Sequence, residues 1–162
     1  MYARAYHLTK DKKYLEAGNK AFNFLITPVE KGGTLSTLES LDPSLKHYII
    51  FDEYPTVPET HTLNGFIFSM LGVYDWWQVE PNKHKKAEKY FNESVKTLKV
   101  ILPYYDAGGF PTYDLAFITH DIKPTYNVGY QVFHVSLLNA IYSITKDPYF
   151  DFVKRVWSSY VE

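Results

Sequence analysis

Apolar residues recur at the spacing of one helix face in three successive pairs of segments, each pair joined by a short polar turn. That pattern restricts the chain to antiparallel helical hairpins. It is clearest in Leu63, Phe66, Ile67, Met70, Leu71 and Tyr74, and then in Ala87, Tyr90, Phe91, Val95, Leu98, Ile101 and Leu102. Both runs follow the i, i+3, i+4, i+7 rule. The first and third pairs share a turn, HLTKDKKYL near the start and SITKDPYF near the end, in which Asp11 and Asp147 are natural N-caps and Pro148 suits a first helical position. Glu80-Pro81-Asn82 takes the equivalent place in the middle pair, so the turns recur at roughly 65 to 70 residues, too long for two helices alone.

Each repeat therefore carries an insertion, residues 28–60 and 103–129, both rich in Gly, Pro, Thr and Asp. Long loops on a helical scaffold usually carry function. Within the first, TLSTL and YIIF fit a small β-hairpin. The expected fold is all-α: part of an (α/α) toroid, about three antiparallel hairpins with their long insertions gathered at one end. Helical period assigns Phe66, Ile67, Met70, Tyr90, Phe91, Leu98, Phe133, Leu137, Ile141, Phe150, Val153 and Trp157 to the core.

At 162 residues the chain fits one domain spanning 1–162. Because MYARAYHLTKDKKYL opens inside a helical hairpin, that domain is expected to be the C-terminal part of a longer protein. A net charge of −1 offers no basic stripe to nucleic acid. The longest apolar stretches are broken well before the ~18 residues a membrane span needs. With no cysteine there is no disulfide, thiolate metal site or cysteine nucleophile. His7, His47, His61, His84, His120 and His134 are scattered without a ligand motif, so neither metal nor cofactor is expected. Tyrosine, at 15 residues, joins a broad apolar ring to a hydroxyl that can bond to a sugar or move a proton.

Two stretches in the insertions stand out. FDEYPT, residues 51–56, leads into LNGF, residues 63–66, and a helix reaching Tyr74-Asp75; LPYYDAGGFPTYDL spans residues 102–115, and Tyr130 and His134 lie one helical turn apart beyond it. In this order the segments resemble the C-terminal domain of the D-glucuronyl C5-epimerases, whose pattern is Phe-acidic-Glu-Tyr-Pro-Thr, Leu-Asn-Gly-Phe, Tyr-Asp, then Leu-Pro-x-Tyr-Asp-x-Gly-x-x-x-x-Tyr-Asp-Leu and Tyr-x-x-x-His. The resemblance implies an α/α barrel preceded by β-rich domains, and an isomerase acting on uronic acid residues of a glycosaminoglycan-like polysaccharide. It also implies that Glu53, Tyr54, Tyr113 and Tyr130 are the catalytic glutamate and tyrosines.

Epimerisation at C5 removes the proton beside the carboxylate and returns one from the opposite face, so two acid/base groups must flank the ring. An ordinary phenol and an ordinary carboxylate are both poorly matched to this task at neutral pH, and their surroundings must move them. Candidate substrate-binding residues are Asn64, Asp106, Asp114, Lys123 and His134. The expected partner is a uronic-acid-containing oligo- or polysaccharide, with a homodimer as a further candidate assembly. Two departures bear on the substrate: Ala116 stands where the family follows Tyr-Asp-Leu with arginine, and Arg4 and Arg155 are the chain's only arginines. Bidentate recognition of a uronate or sulfate favours arginine, whereas a lysine such as Lys123 offers a point charge. Other readings are a polysaccharide lyase, a glycosidase pairing Glu53 with Asp106 or Asp114, or a non-catalytic glycan-binding module.

Overall fold

The computed structural model describes residues 1–79 and 84–160. The helices are α1 (Tyr2–Thr9), α2 (Lys12–Leu25), α3 (Leu63–Val79), α4 (His84–Tyr105), α5 (Ala116–Thr119), α6 (Val128–Thr145) and α7 (Pro148–Ser158). They form the three hairpins expected from the period, α1 with α2, α3 with α4, and α6 with α7. The Glu80-Pro81-Asn82 turn lies outside the described residues. Helix α3 packs on α1 to one side and α6 to the other, so the first helices of the three hairpins lie together. Helices α3 and α6 are correspondingly apolar on every side, whereas α2, α4 and α7 are amphipathic with one face to solvent. No helix among the described residues is long and apolar enough to cross a membrane.

The two shared turns are superimposable in their bonding. Lys10 and Lys146 end their helices in the left-handed conformation, with φ of 57° and 56°. Thr9 and Thr145 accept from the N–H of Asp11 and Asp147, each at 3.2 Å. Those aspartates in turn accept from Lys13 N–H and Tyr149 N–H, each at 3.0 Å. The Thr-Lys-Asp sequence thus ends one helix and caps the next.

In the first insertion, β1 (Leu35–Thr37) pairs antiparallel with β2 (Ile49–Phe51), with Leu35 opposite Phe51 and Thr37 opposite Ile49. One-turn 3-10 segments at Val29–Lys31, Leu38–Ser40 and Pro43–Leu45 complete it. β2 packs on α3 and α4, burying Ile50 and Phe51. The second insertion is shorter than the spacing of apolar residues implies: α4 carries Pro103 in its last turn and runs to Tyr105, and α5 adds one turn.

The core joins Phe66, Ile67, Met70, Phe91, Leu98, Leu137, Ile141, Phe150, Val153 and Trp157, as the helical period requires. Two assignments need correction. Tyr90 is half-buried, and Phe133 is 39% exposed, its ring 5.3 Å from the exposed Phe68 of α3. On α6, apolar all round, period alone does not say which face the hairpin partner covers, whereas Tyr90 on the amphipathic α4 packs its ring against Phe22 and Phe51 and stays partly open.

Candidate active site

Asp52 follows β2, and Glu53 and Tyr54 come next, where the strand gives way to a bend. Phe51 and Asp52 are buried, Glu53 is exposed, and Tyr54 is 50% exposed. The Glu53 side chain lies across Gly65 in the first turn of α3. A Cβ at Gly65 would meet the Glu53 carboxylate oxygen and stand 2.7 Å from Glu53 Cβ, so only glycine leaves room for the acid there.

Tyr113 is placed by its backbone. Its N–H donates to Thr125 O at 2.6 Å, its carbonyl accepts from Leu63 N–H at 3.1 Å, and two residues on Leu115 N–H donates to Thr60 O at 2.7 Å. The segment is therefore stitched between the start of α3 and the strand-like run before α6. Tyr130 sits at the third position of α6, whose N-cap Asn127 accepts from Tyr130 N–H at 3.0 Å. The Tyr113 and Tyr130 rings meet with centroids 4.5 Å apart. Tyr113 also shares a side-chain hydrogen bond with Tyr54 and feels the Glu53 charge. Glu53, Tyr54, Tyr113 and Tyr130, drawn from three separate segments, thus meet around the Tyr113 hydroxyl. Burial, then the Tyr54 hydrogen bond and the Glu53 charge, push the Tyr113 phenol well above its ordinary range. That shift runs away from neutrality, so Tyr113 holds its proton at pH 7.

Behind Tyr130 the aromatic stack continues to His134 at 6.2 Å and from His134 to Trp157 at 6.3 Å. His134 is completely buried, neither ring nitrogen has a hydrogen-bond partner, and burial draws its imidazole down to about 4. It backs the site instead of facing solvent. Trp157 Nε1–H and the Tyr160 hydroxyl both donate to Asp106, at 3.1 and 2.8 Å from Oδ2, and Gly108 N–H donates to its Oδ1. Asp106 thereby ties the second insertion to α7. Asp114 accepts from Ala116 N–H at 3.1 Å; burial raises its carboxyl, opposed by that bond and by His120. The Asn64 Oδ1 atom is buried without a partner, in the same first turn of α3 as Gly65. Lys123 is exposed on the run between α5 and α6. A depression of about 340 Å³ lined by Asn127, Gly129, Tyr130 and Phe133 adjoins the tyrosines. Among the described residues, no three His, Asp or Glu side chains converge as a metal-binding group.

The sequence family described as the D-glucuronyl C5-epimerase C-terminus matches residues 1–159. This chain belongs to that family. It is 30% identical over 168 aligned residues to a D-glucuronyl C5-epimerase of Caenorhabditis elegans, an alignment covering 97% of this chain and 26% of that protein. It is 37% identical over 110 residues to an uncharacterized protein of Methanocaldococcus jannaschii, covering 68% of this chain and 34% of that one. The chain spans about a quarter to a third of the length of these relatives.

Against the C5-epimerase pattern, Ala116 opens α5 and is buried. Arg4 pairs with Asp75 at 2.9 Å and Arg155 with Asp151 at 3.1 Å. Three polar residues to which the sequence reading gave no role, Asp52 of the FDEYPT motif among them, form a hydrogen-bonded chain: Asp52 Oδ1 to His61 Nδ1 at 2.9 Å, and His61 Nε2 to Ser40 Oγ at 2.9 Å. Their separations in sequence resemble no ligand or catalytic spacing. The available signal was two polar residues, Asp52 and His61, bracketing the residues 53–60 loop.

Proposed function

We propose that this domain supplies the acid/base machinery of a uronate C5-epimerase acting on a glycan, on an arc of an (α/α) toroid whose inner helices are α1, α3 and α6. The meeting of Glu53 with Tyr54, Tyr113 and Tyr130 carries this reading. A pyranose ring does not fit between two aromatic rings in contact, so Tyr113 and Tyr130 act from one side, and the sugar displaces the Tyr54–Tyr113 hydrogen bond as it binds. The Glu53 carboxylate takes the C5 proton, the electron pair is held by the adjoining uronate carboxylate, and the protonated Tyr113 returns a proton to the opposite face. Asn64 supplies a buried acceptor for a sugar hydroxyl, Lys123 a point charge for the uronate, and Phe133 with Phe68 an apolar surface for the neighbouring sugar.

The test is incubation with uronate oligosaccharides in deuterated water. Deuterium is expected at C5, lost by about two orders of magnitude or more in Tyr113→Phe and Glu53→Gln, the usual scale of general acid/base catalysis. In Tyr130→Phe the ring is kept, and a loss of the same size would make Tyr130 the group acting opposite Glu53. Absence of C5 label from the parent protein refutes the reading. The pairing of both arginines and the alanine at 116 favour a second reading, a glycan-binding module without turnover, which retains oligosaccharide binding with no label.

A further inference from the structure

The Asp52–His61–Ser40 chain is the best-built polar cluster outside the four-residue site. Asp52 and His61 are at most 2% exposed, and both ring nitrogens of His61 are engaged at 2.9 Å. A serine-histidine-aspartate chain serves acyl transfer when its histidine can reach a bound substrate. Here His61 has no solvent exposure, and its three partners belong to separate stretches of the fold: Ser40 ends a 3-10 turn, Asp52 follows β2, and Tyr105, at the end of α4, donates its hydroxyl to the His61 carbonyl. The Asp52 N–H is itself held by Thr34 O at 2.8 Å. His61 adopts a φ of 51°, a left-handed conformation uncommon outside glycine, though histidine enters it more readily than most residues.

Between the two members of the pair runs the loop 53–60, which starts with Glu53 and Tyr54. Residues 53–58 are exposed, and the contacts within that part are Thr56 N–H to Tyr54 O and Thr56 Oγ1 to Pro58 O. The loop is held at its far end by Ser36 Oγ–H to Glu59 Oε1 at 3.0 Å and Leu115 N–H to Thr60 O at 2.7 Å, and near its start by the Tyr54–Tyr113 side-chain bond, while the residues flanking it, 52 and 61, are fastened to each other. We infer that the buried Asp52–His61–Ser40 chain is a clasp closing the base of the 53–60 loop, and that Asp52 and His61 are positioning residues that aim Glu53 and Tyr54 at Tyr113. The inference rests on the proposed acid/base role of those residues for its catalytic consequence, and on the loop geometry alone for its structural one.

Two replacements of His61 separate the clasp from general stability. Asparagine tolerates left-handed backbone and sets an amide N–H near the place of His61 Nδ1, so His61→Asn keeps the bond to Asp52. His61→Leu removes it. The readouts are proton cross-peaks between the Tyr54 and Tyr113 rings by NMR and, separately, kcat and KM for C5 deuterium exchange. The expected result is that His61→Asn preserves the cross-peaks, whereas His61→Leu loses them and lowers kcat by about 10- to 100-fold with KM within about twofold, the cost of misplacing a reacting group. Should His61→Leu not fold, Asp52→Leu/His61→Leu, which leaves no buried charge unpaired, is read in its place. A folded leucine variant with parental cross-peaks overturns the clasp. Parental cross-peaks lost with no C5 exchange in any protein, the parent included, uphold the clasp and refute the epimerase reading alone.

Discussion

Glycine at 65 and glutamate at 53 are two halves of one arrangement. In a bare helix Gly65→Ala would stabilise by about 1 kcal/mol through helix propensity. In this fold the new methyl runs into the Glu53 carboxylate and lies 2.7 Å from its Cβ. Gly65→Ala is thus expected to lose the propensity gain and to reduce C5 exchange about as much as Glu53→Gln, some 100-fold. In a Glu53→Gly background the same alanine is expected to stabilise, and a double-mutant cycle by denaturant melts should show coupling of about 1 kcal/mol or more. Equal effects of Gly65→Ala in both backgrounds would show that the two residues do not constrain each other. The motif made both residues visible in the sequence. Their contact was not, because a glycine records only the absence of a side chain and not the neighbour that requires it.

At the scale of elements, the repeated Thr-Lys-Asp turn offers the cleanest test of local energetics. Asp147 caps α7 and bonds to Lys99 Nζ at 2.6 Å, and that bond, followed by the Tyr149 N–H, holds its carboxyl below the ordinary range. Its contribution is present above the unfolded-state carboxylate pKa and is lost as pH falls through the lower folded value. Asp147→Ala is expected to cost about 1 kcal/mol at pH 7, with the gap to the parent closing under strong acid in paired thermal melts. Lys146→Gly, which relieves the left-handed backbone, should gain about 0.5–1 kcal/mol. The hairpins and this turn were legible because each depends on neighbours a few residues away. The β1–β2 pairing joins residues further apart, Thr37 to Ile49 and Leu35 to Phe51, and was legible from its two short strand-like runs after a Gly-Gly pair. The fate of Asp106, claimed by Trp157 and Tyr160 from α7, was not, since partners more than 50 residues distant leave no local periodicity. Phe133 was misassigned for a related reason, because its helix is apolar on all sides.

At the scale of the whole molecule, one buried group should make stability fall in mild acid. His134 titrates near 4 in the folded state and near its ordinary 6.5 once unfolded. Between these values the unfolded chain binds the extra proton, so stability is full above about pH 6.5 and falls as pH drops toward 4, by about 3 kcal/mol in all. His134→Leu, which removes two ring nitrogens that have no partner, should flatten that slope and cost little at pH 7. Urea melts from pH 7 to 4 would check it, and an unchanged slope would move the titration to another residue. The backbone bonds that hold Tyr113 between Thr125 and Leu63 use no atom of its side chain. A scaffold that locates a residue in this way fixes the backbone there whatever side chain it carries. On the proposed role of Tyr113, another acid, base or nucleophile put at 113 would start from a backbone already aimed at the site.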